Sequence, residues 1–375
     1  MPSNISKFGS LKGSSEHLEN DDGRFGLVST ELHNEIPVPS GEHLYDQPGG
    51  YTWVCPAGVT NISVVCVGGG GGGYQQGFFL SFFINGGGGG TLAYKNNFTV
   101  VPGQGYDLYV GAGGAAKTDT GFPVGNATGN DGETSWFNNT STCAAGGGDG
   151  GHWLQGTVQQ SQSAAPVGDG GGRGGFANIA GSLNNPTRAW QTGNQGAGSG
   201  AGGYNGDGGG YTAQAGTSGN SLALSSVPPA AGSGGGMHGY FGWDDLFGGK
   251  GMHGGPGGGV GVYGLGTTAT SEGESGSGGR HASLPVPNPQ YKAIFSASLG
   301  TYDIQPKNGS NTVNNAPNNR AGMYGGGGGG AGNYQSSSGA AGDGGNGAVR
   351  IIWGAGRAFP SSLTDEASSV TVSYN

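Results

Sequence analysis

Two stretches near the start of the chain, residues 51–55 and 62–67, have a two-residue period that divides their side chains into two alternating sets. In the first stretch Tyr51 and Trp53 occupy one side of the alternation, and the second stretch continues the same two-residue period. Successive side chains of a β-strand point to opposite faces, so this period is typical of strands with one buried face. A Pro-Ala-Gly turn at 56–58 separates the two stretches. The pattern therefore predicts a β-hairpin.

Further strand patterns occur before and after a long glycine-rich middle region. The region 91–114 is expected to hold two strands, split by a Pro-Gly-Gln-Gly turn at 102–105. The other predicted strands lie at 132–137, 288–304, 348–353 and 368–375. No amphipathic helix of any length is predicted.

Glycine makes up about a quarter of the chain, 92 of 375 residues, against an average usage of about 7%. Ordering that many glycines costs on the order of 50 kcal/mol more than ordering alanines. Only 10% of the residues are charged, so the chain lacks the charge repulsion of most disordered proteins. Backbone hydrogen bonds are therefore expected to hold the glycine runs, at 146–151, 170–175, 196–203, 206–210, 234–236, 254–259 and 325–330.

Ordered glycine runs can pack without a hydrophobic core. In the polyproline II conformation the chain is extended, with three residues per turn and no internal hydrogen bonds. Every main-chain N–H and C=O then needs a partner, and glycine has no Cβ to keep neighbouring strands apart. We therefore predict an all-β fold with long glycine-rich insertions, packed as polyglycine II-like strands. The alternative is that the runs are flexible linkers.

Composition divides the chain into three parts. Residues 1–48 are polar and charged, which suits an arm for attachment or oligomer contact and, equally, a disordered tail. Residues 49–362 are predicted to form a single glycine-rich β domain, because strands bracket the glycine-rich middle and the first and last are expected to pair. Residues 363–375 are predicted to be a C-terminal strand or tail.

The charge balance and hydropathy limit the function classes. The net charge is −9, so the chain offers no basic surface to neutralise the phosphates of a nucleic acid. No stretch approaches the ~18 consecutive apolar residues of a transmembrane helix, and the N-terminus lacks the apolar region of a secretory signal. We expect no nucleic-acid binding and no membrane insertion.

The three cysteines are Cys55, Cys66 and Cys143. Cys55 and Cys66 could face each other across the predicted hairpin. The odd number of cysteines and the missing signal favour three free thiols instead.

Motifs for catalysis or cofactor binding are weak in this sequence. Dinucleotide-binding glycine patterns arise by chance in so glycine-rich a chain, and no phosphate-binding loop with its lysine and hydroxyl occurs. His238, Asp244, Asp245 and His253 cluster, but their spacing fits a polar loop better than a metal site. We expect no enzyme activity, cofactor or metal, although a pair of catalytic carboxylates for glycoside hydrolysis, distant in the sequence, stays open.

Asp-Gly pairs begin at Asp149, Asp169, Asp207 and Asp343. Turns explain these pairs better than calcium-binding repeats do.

Aromatic residues interrupt the glycine runs and are the candidates for contacting a receptor. Aromatic rings at loop tips stack on sugar faces and anchor protein interfaces. The candidates are Phe78, Phe79, Phe82 and Phe83 in one cluster, Tyr240, Phe241 and Trp243 with Asp244 and Asp245 in a second, and Trp153 beside His152. For the first cluster we favour a role as a plug of the bundle or a subunit interface. For the second, both roles stay open.

Two motifs at the ends of the glycine-rich region resemble a known family. YTWVCPAGVTNISVVCVGGGGGG (51–73) resembles the opening of the glycine-rich domain of phage tail-fibre and other virion structural proteins. GGNGAVRIIWGAGRAFPSS (344–362) is similar to the closing strand and tail of versions from marine cyanobacterial phages and their hosts. The resemblance implies a β-sandwich with inserted glycine-rich loops and a place on the virion. In a related arrangement, the tip adhesins of some T-even-like phages touch the host receptor with distal loops.

The function that this resemblance implies is that of a non-enzymatic virion structural protein of a cyanophage. It would belong to a fibre, tail or neck appendage on the virion exterior that contacts the host surface. The expected partners are other virion proteins, through residues 1–48, further copies of the chain, and a host surface glycan or protein. The alternatives are a head or tail decoration protein without receptor binding, a polysaccharide depolymerase, and a bacterial cell-surface protein.

Overall fold

Short β-strands are the regular structure of this protein. The computed structural model describes residues 40–76, 84–119, 127–153, 160–179, 197–215, 222–231, 233–237, 241–243, 252–254, 257–266, 268–270, 275–277, 321–322, 324–329 and 341–360. Within these ranges there is no helix, and the all-β prediction is confirmed. The strands are β1 (Gly41–Tyr45), β2 (Gly49–Val54), β3 (Asn61–Val67), β4 (Tyr74–Gln76), β5 (Ile84–Asn85), β6 (Leu92–Thr99), β7 (Gly105–Val110), β8 (Lys117–Asp119), β9 (Ala127–Thr128), β10 (Ser135–Phe137), β11 (Cys143–Ala145), β12 (His152–Trp153), β13 (Gly170–Gly172), β14 (Ala177–Ile179), β15 (Gly210–Ala215), β16 (Leu222–Val227), β17 (Phe241–Trp243), β18 (Met252–Gly254) and β19 (Ala348–Trp353).

The two largest sheets share one apolar core, an arrangement consistent with a β-sandwich. The first sheet has five strands in the order β1-β19-β3-β6-β13, and the second has four in the order β11-β10-β7-β2. We call these two sheets the sandwich. β19 lies between β1 and β3 and is antiparallel to both. β19, which follows the glycine-rich middle, is therefore paired with β3, which precedes it.

The predicted hairpin at 51–67 is wrong. β2 and β3 fall on its two alternating stretches, but β2 pairs with β7 in the four-stranded sheet. β3 pairs with β6 and β19 in the five-stranded sheet. The turn at 56–58 therefore carries the chain from one sheet to the other. Strands in two facing sheets bury alternate residues as a hairpin does, so alternation alone does not distinguish the two arrangements.

A first core fills the space between the two sheets. Trp53 of β2 is 2% exposed and meets Phe137 of β10 edge to face, with ring centroids 6.3 Å apart. Val64 of β3 and Ile351 of β19 enter this core from the five-stranded sheet. The alternation over 51–55 therefore predicted the buried side of β2 correctly, even though it misplaced the sheet.

A second core covers the other face of the five-stranded sheet. Val65 and Val67 of β3 and Ile352 of β19 pack there against Tyr204 and Val260 of the glycine-rich region. β3 is therefore buried on both faces, which explains why its second half is a continuous apolar run.

Glycine-rich segments continue directly from the strands of the sandwich. The segments that adjoin a sandwich strand are 68–73 after β3, 86–91 before β6, 111–116 after β7, 129–133 before β10, 146–151 after β11, 173–176 after β13 and 341–347 before β19. Others pack among them, at 197–203, 206–209, 233–237, 257–260 and 324–329. We call all of these segments the glycine bundle. Main-chain hydrogen bonds join them, as predicted.

The segment 68–73 shows a three-residue repeat in these hydrogen bonds. Residues three positions apart donate their amides to the same neighbouring segment. The pairs are Gly68 and Gly71 to 86–91, Gly69 and Gly72 to 129–133, and Gly70 and Gly73 to 341–347. Its carbonyl oxygens accept from three other segments, 111–116, 146–151 and 324–329. The segment 68–73 is thus surrounded by six neighbours that all bond to its main chain.

No Cβ atom fits at the centre of the glycine bundle. A Cβ built on Gly70 would collide with the carbonyl group of Gly326, and one built on Gly69 would collide with that of Ala112. These obstacles are main-chain atoms, which have no rotamer to change. The missing side chain is therefore what allows the six neighbours to approach.

A buried ion network fastens β1 to the five-stranded sheet. Glu42 of β1 accepts hydrogen bonds from Arg350 and Arg357 at 2.6 Å each, and the Arg350 side chain is 0% exposed. Arg350 also donates to the carbonyl of Val262 at 3.0 Å and lies 4.1 Å from the ring centroid of Tyr263. β1 thus belongs to the sandwich, although it falls within the segment 1–48 that composition sets apart.

Most of the other predicted strands are also found. β6 and β7 fall in 91–114, β10 in 132–137 and β19 on 348–353. The stretches 288–304 and 368–375 lie outside the described residues.

Candidate functional site

At the end of the glycine bundle away from the sandwich, its segments lead into four small sheets. The segment 68–73 leads from β3 to β4, 111–116 leads from β7 to β8, and 146–151 leads from β11 to β12. We call the four small sheets the distal sheets; they are β5-β4-β8, β12-β9, β14-β15-β16 and β17-β18.

The first two distal sheets adjoin each other. β5 lies beside β12, and β8 lies beside β9. β4 pairs antiparallel with β5 and parallel with β8, and β12 pairs antiparallel with β9. Five strands, each joined to a different glycine segment, therefore meet in one place at the end of the bundle.

The phenylalanine cluster belongs to the connection between two strands of a distal sheet. Phe78, Phe79, Phe82 and Phe83 follow β4 and precede β5 in the chain, and they lie outside the described residues. Trp153 is placed by the structure in β12, where it pairs with Ala127 of β9. Trp153 therefore lies on the distal sheet that adjoins β5.

The second aromatic cluster is placed in part. Phe241 and Trp243 form β17, whose register partners are Gly254 and Met252 of β18. Tyr240, Asp244 and Asp245 lie outside the described residues, as does His238. His253 is in β18 opposite Gly242, so the strand pair brings one member of the histidine and aspartate cluster next to the aromatic strand.

An aromatic pair that sequence reasoning missed lies on the outer face of the four-stranded sheet. Tyr109 of β7 and Trp136 of β10 are cross-strand partners, with ring planes 15° apart and centroids at 6.3 Å. The Tyr109 hydroxyl donates to Glu133 at 2.8 Å, and this bond, with partial burial and the carboxylate charge, raises the pKa of Tyr109. In β7 the buried residues Tyr106, Leu108 and Val110 alternate with Asp107 and Tyr109, so the sequence indicates that Tyr109 is on the outer face. The sequence pattern does not indicate that β10 is the neighbouring strand.

The described chain enters and leaves at the sandwich end, opposite to the distal sheets. β1 begins at Gly41, which pairs with Trp353 at the end of β19. After β19 the chain turns, and Asn96 in β6 holds the main chain of Phe359 through both the N–H and the C=O of that residue. The two ends of the described β domain therefore lie together on the sandwich, and the distal sheets lie at the other end of the glycine bundle.

Carboxylates on the flank of the glycine bundle hold main-chain amides that face outward. Asp343 accepts from the amide of Ala116 at 2.7 Å, and Asp207 accepts from the amide of Arg173 at 2.8 Å. Asp149 accepts from the amide of Ser161. The Asp-Gly pairs were interpreted as turn residues, but these aspartates act as acceptors between segments. An outward N–H has no main-chain partner, and a carboxylate supplies one.

Asp169 holds the edge of the sandwich in the same way. It accepts from Lys95 Nζ at 2.5 Å and from the Asn96 amide at 2.8 Å. Partial burial raises the pKa of Asp169, but these two hydrogen bonds and the Lys95 charge outweigh burial, so the pKa lies below its ordinary value of 3.8.

The lowered pKa of Asp169 predicts a small loss of stability in acid. The folded state binds this proton less tightly than the unfolded chain, so the stabilisation is complete above pH 3.8 and is lost as the pH falls through the folded pKa. We expect wild-type protein to lose more stability below about pH 4 than the Asp169→Asn variant does, as measured by urea unfolding at several pH values. Both side chains are about one third exposed, so the difference should stay below ~1 kcal/mol. Parallel pH profiles for the two proteins would contradict it.

The part of the chain that the structure describes has neither a candidate metal cluster nor a candidate membrane-spanning helix. It places no group of three or more His, Cys, Asp or Glu side chains where they could hold a metal ion. The same part contains no helix with the length and apolarity that a bilayer span requires.

A comparison with protein families identifies a glycine-rich domain in this chain. A family model described as a glycine-rich domain matches residues 46–282. This range begins just after β1 and ends a few residues after the described segment 275–277. No curated protein matches the chain significantly. The matched range includes every distal sheet and all of the sandwich except β1 and β19. The chain belongs to the glycine-rich domain family.

Proposed function

We propose that this chain is a non-enzymatic structural protein of a phage virion, in a fibre, tail or neck appendage. The single observation that carries the proposal is the separation of the two ends of the β domain. The described chain enters and leaves at the sandwich, and the distal sheets carry the aromatic candidates at the other end of the glycine bundle. A projecting appendage needs this arrangement, with attachment at one end and recognition at the other.

We further propose that the glycine bundle is built of polyglycine II strands. The three-residue repeat in the hydrogen bonds of 68–73 supports this, because polyproline II geometry has three residues per turn. The segment 86–91 repeats the pattern, since Gly87 and Gly90 both donate to 324–329 while Gly88 and Thr91 both donate to 146–151. Cross-linking of this kind in several directions makes a stiff spacer between the sandwich and the distal sheets.

The hydrogen bonds of three aspartate carboxylates on the flank of the glycine bundle also support a structural role. Asp149, Asp207 and Asp343 each hold a main-chain amide of a neighbouring segment. These side chains complete the hydrogen bonding of the glycine bundle, so their roles are explained without a reaction. The sandwich end, together with residues 1–48, is proposed to contact other virion proteins.

Immunogold labelling of virions tests the proposal. Antibodies raised against the isolated protein are applied to purified particles of a marine cyanobacterial phage that encodes this chain. Gold on the tail, fibres or neck is the expected result. Even labelling of the head would favour a decoration protein instead. Purified particles that carry no gold would overturn the assignment to the virion.

Replacing Trp243 by alanine is expected to weaken attachment to host cells without lowering the melting temperature. Large aromatic residues dominate binding energies, so the apparent affinity of fluorescently labelled protein for intact cells should fall by about tenfold or more. β17 belongs to a two-stranded distal sheet and not to the sandwich, which is why stability should not change.

Trp136→Ala is the matched control for Trp243→Ala. It removes a tryptophan that stacks on Tyr109 in the sandwich, so it should lower the melting temperature and leave cell binding by the folded protein unchanged. Binding of Trp243→Ala at the wild-type level would exclude β17 from the contact surface.

A further inference from the structure

Two buried thiols face each other across the first core. Cys66 belongs to β3 in the five-stranded sheet, and Cys143 belongs to β11 in the four-stranded sheet. Both residues are 0% exposed. Cα atoms of the two strands approach within 8 Å of each other. All three cysteines are free thiols in the structure, as the sequence analysis favoured, and the residue near Cys66 is Cys143 rather than Cys55.

The two cysteines are held in register by their hydrogen bonds. Cys66 Sγ lies 3.9 Å from the carbonyl oxygen of Cys143, and Cys143 Sγ lies 3.8 Å from that of Ala93. Ala93 is the cross-strand partner of Cys66 in β6. A disulfide needs Cβ atoms roughly 3.5–4.5 Å apart and the side chains turned towards each other, and the Cys66 side chain is turned towards Cys143.

We propose that Cys66 and Cys143 form a disulfide between the two sheets when the chain folds in the presence of a low-molecular-weight disulfide. The thiolate of one cysteine attacks glutathione disulfide and releases one glutathione thiolate, which leaves a mixed disulfide. The thiolate of the other cysteine then attacks the protein sulfur of that mixed disulfide and releases the second glutathione thiolate. The two cysteine protons end on the two glutathione thiols, and the two electrons reduce the glutathione disulfide.

The reaction takes place while the chain is folding rather than in the folded protein. Burial, followed by the neighbouring Cys143 thiol, raises the pKa of Cys66 well above its ordinary value. The thiolate is the reactive form, and both sulfur atoms are closed off from solvent, so the folded reduced protein should resist oxidation and alkylation. Once formed, the bond constrains the long loop from residue 66 to residue 143 in the unfolded chain and so stabilises the fold.

Refolding in a glutathione redox buffer tests the proposal. Protein unfolded in denaturant is refolded with reduced and oxidised glutathione, its free thiols are counted after denaturation, and its peptides are mapped by mass spectrometry. We expect one free thiol, at Cys55, and a linked peptide pair containing Cys66 and Cys143. The melting temperature should exceed that of protein refolded under reduction by about 5–10 °C.

Cys55→Ala is the matched control, because Cys55 is also buried but donates to the carbonyl of Val59 at 3.3 Å in the turn between the sheets. This variant should form the same bond with the same rise in melting temperature. Cys143→Ser should form no intramolecular bond while its near-ultraviolet circular dichroism stays native. If Cys143→Ser fails to fold, the comparison of wild type with Cys55→Ala decides alone. Three free thiols in refolded wild-type protein, or a bond that includes Cys55, would overturn the proposal.

Discussion

A single methyl group at position 70 is expected to disrupt the glycine bundle. In Gly70→Ala the new Cβ would collide with the carbonyl group of Gly326, which is main chain and has no rotamer to change. Relief of the collision would separate segments that are joined by the 2.8 Å bonds from Gly70 to Gly345 and from Gly114 to Gly70. We expect the free energy of unfolding to fall by at least about 4 kcal/mol, because overpacking is combined with buried unsatisfied main-chain groups. Urea unfolding followed by circular dichroism measures this.

Gly50→Ala is the matched control for this substitution. Gly50 is exposed on β2, and a Cβ there would meet only the ring of Tyr109, at an ordinary 3.9 Å. The same change from glycine to alanine should therefore alter the free energy of unfolding by less than about 1 kcal/mol. Equal small effects at positions 50 and 70 would show that the bundle tolerates side chains and would remove the basis for its close packing.

Replacing Glu42 by glutamine is expected to destabilise the fold by about 3–5 kcal/mol. Glu42 is the anion between Arg350 and Arg357, and the side chains of all three are less than one tenth exposed. Glutamine keeps the shape but leaves two buried guanidinium groups without a counter-charge. Urea unfolding measures the loss. Because β1 is an edge strand held by this network, hydrogen exchange should show the amides of Gly41–Tyr45 opening first.

Lys95→Met is the control for the buried network. It breaks the pair between Lys95 and Asp169, whose side chains are 35% and 37% exposed, so the expected loss is below ~1 kcal/mol. A Glu42→Gln variant as stable as Lys95→Met would mean that the buried charges find other partners. The network would then not be what holds β1 in place.

Strand positions could be read from the sequence, but their sheets could not. Tyr51, Trp53 and Cys55 alternate with polar or exposed positions, and the structure buries the side of the strand that this pattern predicts. Alternation reports only which side of a strand is buried. It does not report which strand lies beside it, so the pattern predicts a hairpin although β2 and β3 lie in facing sheets.

The glycine bundle was predictable as a type of packing and not as a set of partners. Glycine has no side chain to record its neighbour, so nothing in the run 68–73 indicates that Gly70 meets Gly345 while Gly71 meets Gly88. The acceptor role of Asp149 and Asp343 was missed for a related reason. A residue such as Asp343 suits a turn and also suits an amide from a distant segment, and only the fold distinguishes the two.

For the candidate site, sequence reasoning found the aromatic strands but not their setting. Phe241 and Trp243 were selected as a cluster between glycine runs, and the structure places them in a two-stranded sheet with Met252–Gly254. Trp153 was selected more weakly, and its strand adjoins the sheet that contains β4 and β5. Which strands lie beside β12 and β17 depends on how the glycine segments are arranged in the bundle. A glycine residue has no side chain that would indicate this arrangement in the sequence.

The repeat in the hydrogen bonds of 68–73 restricts how the length of this protein can change during evolution. Adding one or two residues to a segment would rotate everything beyond the insertion towards the wrong neighbours. Adding three residues would restore the orientation and, in the proposed polyglycine II geometry, advance the segment by a full helical step of about 9 Å. Homologues in which the glycine bundle is longer or shorter are therefore expected to differ by multiples of three residues per segment, with the same change in several segments.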